Sequence, residues 1–105
     1  MKIAEMEFER LKEISKNVRM DIIEEVYSAQ SGHPGGALSC ADILTVLYFN
    51  QMNINPNRKD DENRDRFVLS KGHASPALYA VLAERGYFSK DELKNFRKYG
   101  IYKCV

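Results

Sequence analysis

Arg66-Phe67-Val68-Leu69-Ser70-Lys71-Gly72-His73-Ala74-Ser75-Pro76 decides the fold class of this chain. Three apolar residues bounded by charge and by glycine predict a short strand near 66–70, buried on both faces. Ser75 and Pro76 read as the N-cap and first residue of a helix. Leu78, Tyr79, Val81 and Leu82 give that helix an apolar face, and Gly86 after Arg85 is a natural C-terminal stop. Strand, glycine–histidine turn and helix in this order form the unit of an α/β fold. In open α/β sheets, ligands gather at the carboxyl ends of strands, beside helix N-termini. The unpaired N–H groups and positive dipole end found there suit phosphate. Lys71 and His73 stand at such a place. The plainer alternative is a strand-to-helix turn whose histidine merely caps or packs.

Upstream, Ser31-Gly32-His33-Pro34-Gly35-Gly36 holds the only other histidine of the chain. Three glycines and a proline within six residues predict a sharply turning backbone, open to close approach by another group. An imidazole displayed there titrates near neutrality, with a reference pKa of about 6.5. A surface loop joining two helices is the alternative. The two histidines serve one site only if the fold brings these stretches together, and sequence spacing does not decide that.

The rest of the chain frames these two stretches. Leu11, Ile14, Val18, Ile22 and Val26 recur at three- and four-residue steps and predict a helix over 5–29. Glu9, Lys12, Glu13, Lys16 and Arg19 fall away from that stripe, as a solvated face. A second helix is expected from Cys40 to Asn50, with Ser39 as N-cap, Asp42 in a capping-box position, and Ile43, Leu44, Leu47 and Tyr48 inward. Residues 58–66 are almost all charged and read as a solvated loop. A metal site built from Asp60, Asp61, Glu62 and Asp65 lacks the order and the glycine of a calcium loop. Ser89 as cap, Glu92 as its reciprocal partner and the Phe88–Leu93 staple predict a last helix that ends at Gly100.

With 105 residues the chain is at most one domain, and 44% apolar content supports a modest core. The net charge of +1 gives no electrostatic reason to expect nucleic acid or an anionic membrane. Cys40 and Cys104 fit no metal or redox spacing and are expected as reduced thiols. Acidic residues near the N-terminus replace the apolar core of a signal peptide, and no apolar run approaches the roughly 20 residues of a membrane span. A cytoplasmic location is the expectation.

Taken together, the two glycine–histidine stretches resemble the N-terminal part of transketolases. The similarity runs over roughly residues 10–100, with Ser31–Gly36 and Asp65–Ala74 in family order and spacing. It implies an α/β parent fold that binds thiamine diphosphate, with a parallel sheet between helices. It also implies a fragment that is itself mainly helical, with one short strand near 66–70. It implies transfer of a two-carbon ketol unit from a ketose phosphate to an aldose phosphate, with magnesium as the second cofactor and the pentose phosphate pathway as setting. By the same resemblance His73, with Gly72 beside it, touches the cofactor's diphosphate. His33 faces the substrate as the catalytic, proton-handling residue. A related thiamine-diphosphate enzyme, deoxyxylulose-phosphate synthase, is the alternative within the enzyme class. A non-catalytic helical interaction module derived from the family is the alternative outside it.

Relative to the family, residues 1–105 read as a single partial domain. The Gly-Asp-Gly segment and later asparagine that hold magnesium, and the glutamate that activates the thiamine ring, are missing from this sequence. No metal ligand is therefore assigned here. The expected partners are sugar phosphates, a C-terminal transketolase section or subunit, and further copies of the chain. Alone, the chain is expected to be inactive, as a form truncated or interrupted relative to the family.

Overall fold

The computed structural model describes residues 2–30 and 34–95, which fold as helices joined by short turns. Helix α1 spans Lys2–Ala29, α2 Pro34–Ser39, α3 Ala41–Val46 and α4 Ser75–Arg85. A π-helical turn, Leu47–Gln51, continues α3, and 3-10 turns cover Pro56–Arg58, Gly72–Ala74 and Lys90–Asn95. No helix among the described residues is long and apolar enough to cross a membrane. Ser31, Gly32, His33, Gly100 and Cys104 lie outside the described residues.

The 28 residues of α1 reach about 42 Å at 1.5 Å per residue and set the 44 Å long axis of the molecule. The helix stops at Gln30, whose φ of 51° is left-handed and whose N–H bonds to the Tyr27 carbonyl at 3.1 Å. From the predicted stripe, Val18 and Ile22 are fully buried and Ile14 packs against the core. They meet Leu44 and Tyr48 from the α3 side, and Ala77, Ala80, Val81 and Leu82 from α4. Gly86 ends α4 as expected, at φ 105°, with Gly86 N–H bonded to the Leu82 and Ala83 carbonyls and Tyr87 N–H to Leu82. Arg85 then ties α4 to the chain after α3, its Nε donating to the Tyr48 carbonyl at 3.0 Å.

Several sequence expectations are corrected. The 40–50 helix exists as α3 plus the π turn, but Ser39 does not cap it. Ser39 closes α2, and its hydroxyl donates to the Gly36 carbonyl at 2.8 Å. Asp42 turns toward α1 instead, accepting from the Ser15 hydroxyl and from Arg19 Nη2, the latter at 2.7 Å. These two bonds, Ser15 first, hold the Asp42 carboxyl below its ordinary range, and they draw Arg19 off the solvated face. Gly35 and Gly36, read as open turn, are helical within α2. Pro34 stands at the first helical position, where its missing N–H breaks no bond. Helix α4 starts at Ser75 with Ala74 as N-cap, one residue from the expected register.

The expected strand near 66–70 does not form among the described residues. Residues 65–69 have no regular structure, but their side chains alternate as a strand's would, with Phe67 and Leu69 half-buried and Val68 86% exposed. A strand needs a neighbour's N–H and C=O groups, and what surrounds this segment is helix and turn. Asp65 N–H alone finds a backbone partner, the Asn53 carbonyl at 2.9 Å. The Lys90–Asn95 segment, expected as the start of a helix, is a 3-10 turn. Ser89 does begin it, accepting from Asp91 N–H at 3.2 Å.

Two carboxylates escaped the periodicity reading. Glu25 of α1 is fully buried, and neither of its oxygens has a hydrogen-bond partner among the described residues. Burial, and then the charge of nearby Asp21, push its pKa up to about 9. Asp21 is raised to about 7, first by burial and then by Glu84, although Lys90 opposes the shift. Lys90 Nζ stands 2.7 Å from Glu84 and 3.6 Å from Asp21, across the joint of α1, α4 and the last turn.

A carboxyl whose folded pKa exceeds its unfolded value keeps its proton better in the folded state. Its contribution therefore falls as pH climbs from the unfolded value toward the folded one, here from about 4.5 toward about 9 for Glu25, by up to about 1.4 kcal/mol per pH unit. Thermal melting should show the chain losing stability between pH 5 and pH 8. Glu25→Gln, which cannot ionise, should flatten that decline and raise the melting temperature at pH 8. An unchanged pH profile in the variant would show that Glu25 ionises freely.

Candidate functional site

The described part of the first stretch, Pro34–Gly36, meets the second where the Gly72–Ala74 turn lies against α2. Ala74 N–H bonds to the Lys71 carbonyl at 2.9 Å, and Ser75 N–H to the Gly72 carbonyl, so the backbone winds tightly into the first turn of α4. Ala74 is fully buried and anchors the turn, while Gly72 and His73 remain exposed. Across from it, Ala37 is also fully buried and fixes α2 beside the turn.

Between these two anchors the histidine ring comes down on glycine. A Cβ at residue 36 would sit 2.9 Å from both Cδ2 and Nε2 of His73, closer than such atoms pack. Glycine at this position is thus a steric requirement of the His73 placement. Lys71 spans the same gap. Its ammonium donates to the Gly36 carbonyl at 2.9 Å and to the Ser39 hydroxyl at 3.1 Å. A cation on a carbonyl of α2 is placed as a helix C-terminal end prefers. At Gly72 and Gly35 no heavy atom lies within 4 Å of a built Cβ, so both backbones face open space.

An exposed imidazole at the N-terminal end of α4, a glycine cleft beneath it and a lysine alongside form a cradle suited to an anionic group. Of the residues singled out from sequence, Gly72 and His73 are in this cradle, and His33 lies outside the described residues. Gly36 and Ser39 were not recognised as members. The signal for Gly36 was its place in the first glycine run. The contact that recruits Ser39 crosses 32 positions and leaves no local trace.

Nothing in the cradle resembles a metal shell. Among the described residues no three His, Cys, Asp or Glu side chains converge on a common point. In the charged loop, Asp61 accepts from Asn63 N–H at 2.9 Å and Asp65 from Asn53 N–H at 2.6 Å, so these carboxylates shape the loop itself. Cys40 is a buried free thiol, 3.4 Å from the Ala37 carbonyl.

Comparison with known proteins bears on this geometry. Residues 10–103 match the family described as transketolase, thiamine diphosphate binding domain. The chain is 41% identical over 95 residues to an apulose-4-phosphate transketolase subunit of Phocaeicola vulgatus, covering 90% of this chain and 34% of that one. To the transketolase of Homo sapiens it is 42% identical over 94 residues, 90% of this chain and 15% of the other. To the 6-deoxy-6-sulfo-D-fructose transketolase subunit SqwG of a Clostridium species it is 45% identical over 83 residues, 79% of this chain and 30% of the other. The chain thus spans about a third of the subunit-type relatives and about a seventh of the human one.

The Gly36–His73 approach can be tested directly. In Gly36→Ala the new methyl should displace the flexible imidazole rather than the backbone, so stability should fall by no more than about 1 kcal/mol. The His73 ring resonances should shift strongly in an NMR spectrum of the variant. Resonances that stay in place would mean that the ring does not rest on residue 36.

Proposed function

The chain belongs to the family of transketolase thiamine diphosphate binding domains, and from that premise we propose that it forms the diphosphate side of a transketolase active site. The supporting observation is the contact of the His73 ring with Gly36, which joins the two stretches that the family resemblance picks out. Thiamine diphosphate, when bound, supplies the electron sink for moving a two-carbon ketol unit from a ketose phosphate to an aldose phosphate. The task of this chain is to hold and orient. His73 donates an imidazole N–H to a diphosphate oxygen, reinforced by the N-terminal end of α4. Gly36 leaves room for the His73 ring, and Gly72 keeps its backbone open to an approaching anion. His33, directly before Pro34, handles protons on the substrate. Magnesium takes its protein ligands from polypeptide beyond the described residues.

The remainder of the active site belongs to the rest of a transketolase, in the same chain or in a separate polypeptide, working on sugar phosphates in the cytoplasm. Two of the similar proteins are named as subunits, which supports a partnered arrangement. So do the unpartnered apolar side chains. Met20, Ile23 and Tyr27 stand exposed along one stripe of α1, and Ile43 is 63% exposed on α3. In the complete α/β domain, residues 66–70 become a parallel strand. Further copies of the chain complete the assembly.

Three measurements test this reading. Thiamine diphosphate at ten times its dissociation constant should stabilise the chain by about 1.4 kcal/mol, several degrees in melting temperature, and thiamine without phosphates should not. His73→Ala should abolish the shift. No shift in the parent chain, or one that survives in the variant, would overturn the assignment of His73. The purified chain alone should show no ketol transfer. Hydrogen exchange should find the amides of Phe67, Val68 and Leu69 unprotected in it, and protected once the rest of the enzyme is supplied.

A further inference from the structure

We propose that Lys71 is a positioning residue that straps α2 to the Gly72–Ala74 turn and thereby sets the distance between Gly36 and His73. The inference deepens the reading of this cleft as a diphosphate site and rests on it for its consequence, but the strap itself can be tested without any cofactor. Three observations carry it. The Lys71 ammonium reaches two acceptors of α2, the Gly36 carbonyl at 2.9 Å and the Ser39 hydroxyl at 3.1 Å. Those acceptors are themselves joined, because the Ser39 hydroxyl donates to the same Gly36 carbonyl at 2.8 Å. And Gly36 is the residue on which the His73 ring rests.

The geometry explains why a strap is needed. Helix α2 has six residues, too few to be stable by itself. Its one fully buried side chain is Ala37, which contributes little apolar area. Two glycines in six positions weaken it further. Leu38 adds a half-buried contact with the core, but a six-residue helix with two glycines still depends on contacts outside itself to hold its place. Lys71 does so from the chain position two residues before His73, so one backbone segment carries both the ring and the strap. Movement of α2 away from the turn has to break two hydrogen bonds to a charged donor, which are stronger than neutral ones.

The experiment compares the parent chain with Lys71→Met, which keeps length without charge, and Lys71→Arg, which keeps charge and donors. Amide hydrogen exchange of Ser39 and Cys40 reads the strap, melting temperature reads global stability, and titration with thiamine diphosphate reads the consequence. In Lys71→Met, exchange at Ser39 and Cys40 should accelerate about tenfold or more, while amides in the middle of α4 are unaffected. Lys71→Arg should restore most of the protection. Ser39→Ala, which leaves the Gly36 bond, should accelerate exchange by a smaller factor. Because the bonds form one triangle, Lys71→Met/Ser39→Ala should be less than the product of the two single effects.

If Lys71→Met unfolds, the Ser39→Ala and Lys71→Arg comparison still decides. Unchanged exchange at Ser39 and Cys40 in every folded variant overturns the strap. Faster exchange in Lys71→Met with thiamine diphosphate affinity weakened in parallel supports both the strap and its consequence. Faster exchange in a chain that never binds thiamine diphosphate upholds the strap and overturns the diphosphate reading instead.

Discussion

The structure depends on methyl-sized contacts between helices. Ala37 directly follows Gly36, and Ala74 directly follows His73, and both are completely excluded from solvent. Ala41, Ala77 and Ala80 continue the same close seam along α3 and α4. Alanine loses no side-chain entropy on burial and lets two backbones approach. The cost is a thin core, with Val18, Ile22, Leu44 and Val81 as its larger fully buried apolar residues. In exchange the seam fixes, to within a side-chain contact, where Gly36 stands against His73. A larger residue at position 37 or 74 would separate them before it touched any ligand.

What was legible in the sequence follows from this. The long stripe of α1 was readable because Val18 and Ile22 repeat at helical spacing, and the end of α4 because only glycine suits φ 105° at residue 86. Only the second motif was readable as a break, since Gly72–Ala74 is a tight turn, whereas Gly35 and Gly36 of the first lie inside α2. The meeting of Gly36 with the second motif was not readable, because Lys71 and Gly36 are 35 positions apart and nothing local records the bond. Ser39 and Asp42 misled for a physical reason. Each has the side chain of a capping residue, but each found a stronger partner, Ser39 in Gly36 and Lys71, and Asp42 in Ser15 and Arg19. Burial of Asp21 and Glu25 was hidden because charged residues on a helix default to the solvent face.

Local and global requirements agree in some regions and conflict in others. They agree on the Val18–Ile22 face of α1 and at the core-facing residues of α3 and α4, where pattern and burial point the same way. They conflict at 65–69, along the exposed apolar stripe of α1, and at Glu25. At 65–69 the side chains alternate between half-buried and exposed while the backbone has few partners among the described residues. Met20, Ile23 and Tyr27 in contact with water are a helix face awaiting a neighbour. These first two conflicts disappear if further polypeptide of the family packs on this chain. Similar proteins of which the match covers only about a third carry such polypeptide.

Glu25 is a different kind of conflict, since added polypeptide cannot solvate a carboxyl that is already sealed inside. Its position is tolerable because a protonated carboxyl is a neutral group, with a far smaller burial penalty than a charge. Asp21 and Glu84 lie in the same joint, and one ammonium, Lys90, faces them both. Three carboxyls against a single cation cannot all be ionised there without strong repulsion. Burial, with the charge of Asp21 added to it, therefore favours the protonated form of Glu25. The Lys90–Asn95 turn leads onward to residues 96–105, where the family match continues to residue 103. The seam between α2 and the Gly72–Ala74 turn and the joint of α1, α4 and the last turn are thus held differently. One rests on alanine contacts and a lysine strap, and the other on a lysine shared by two carboxyls.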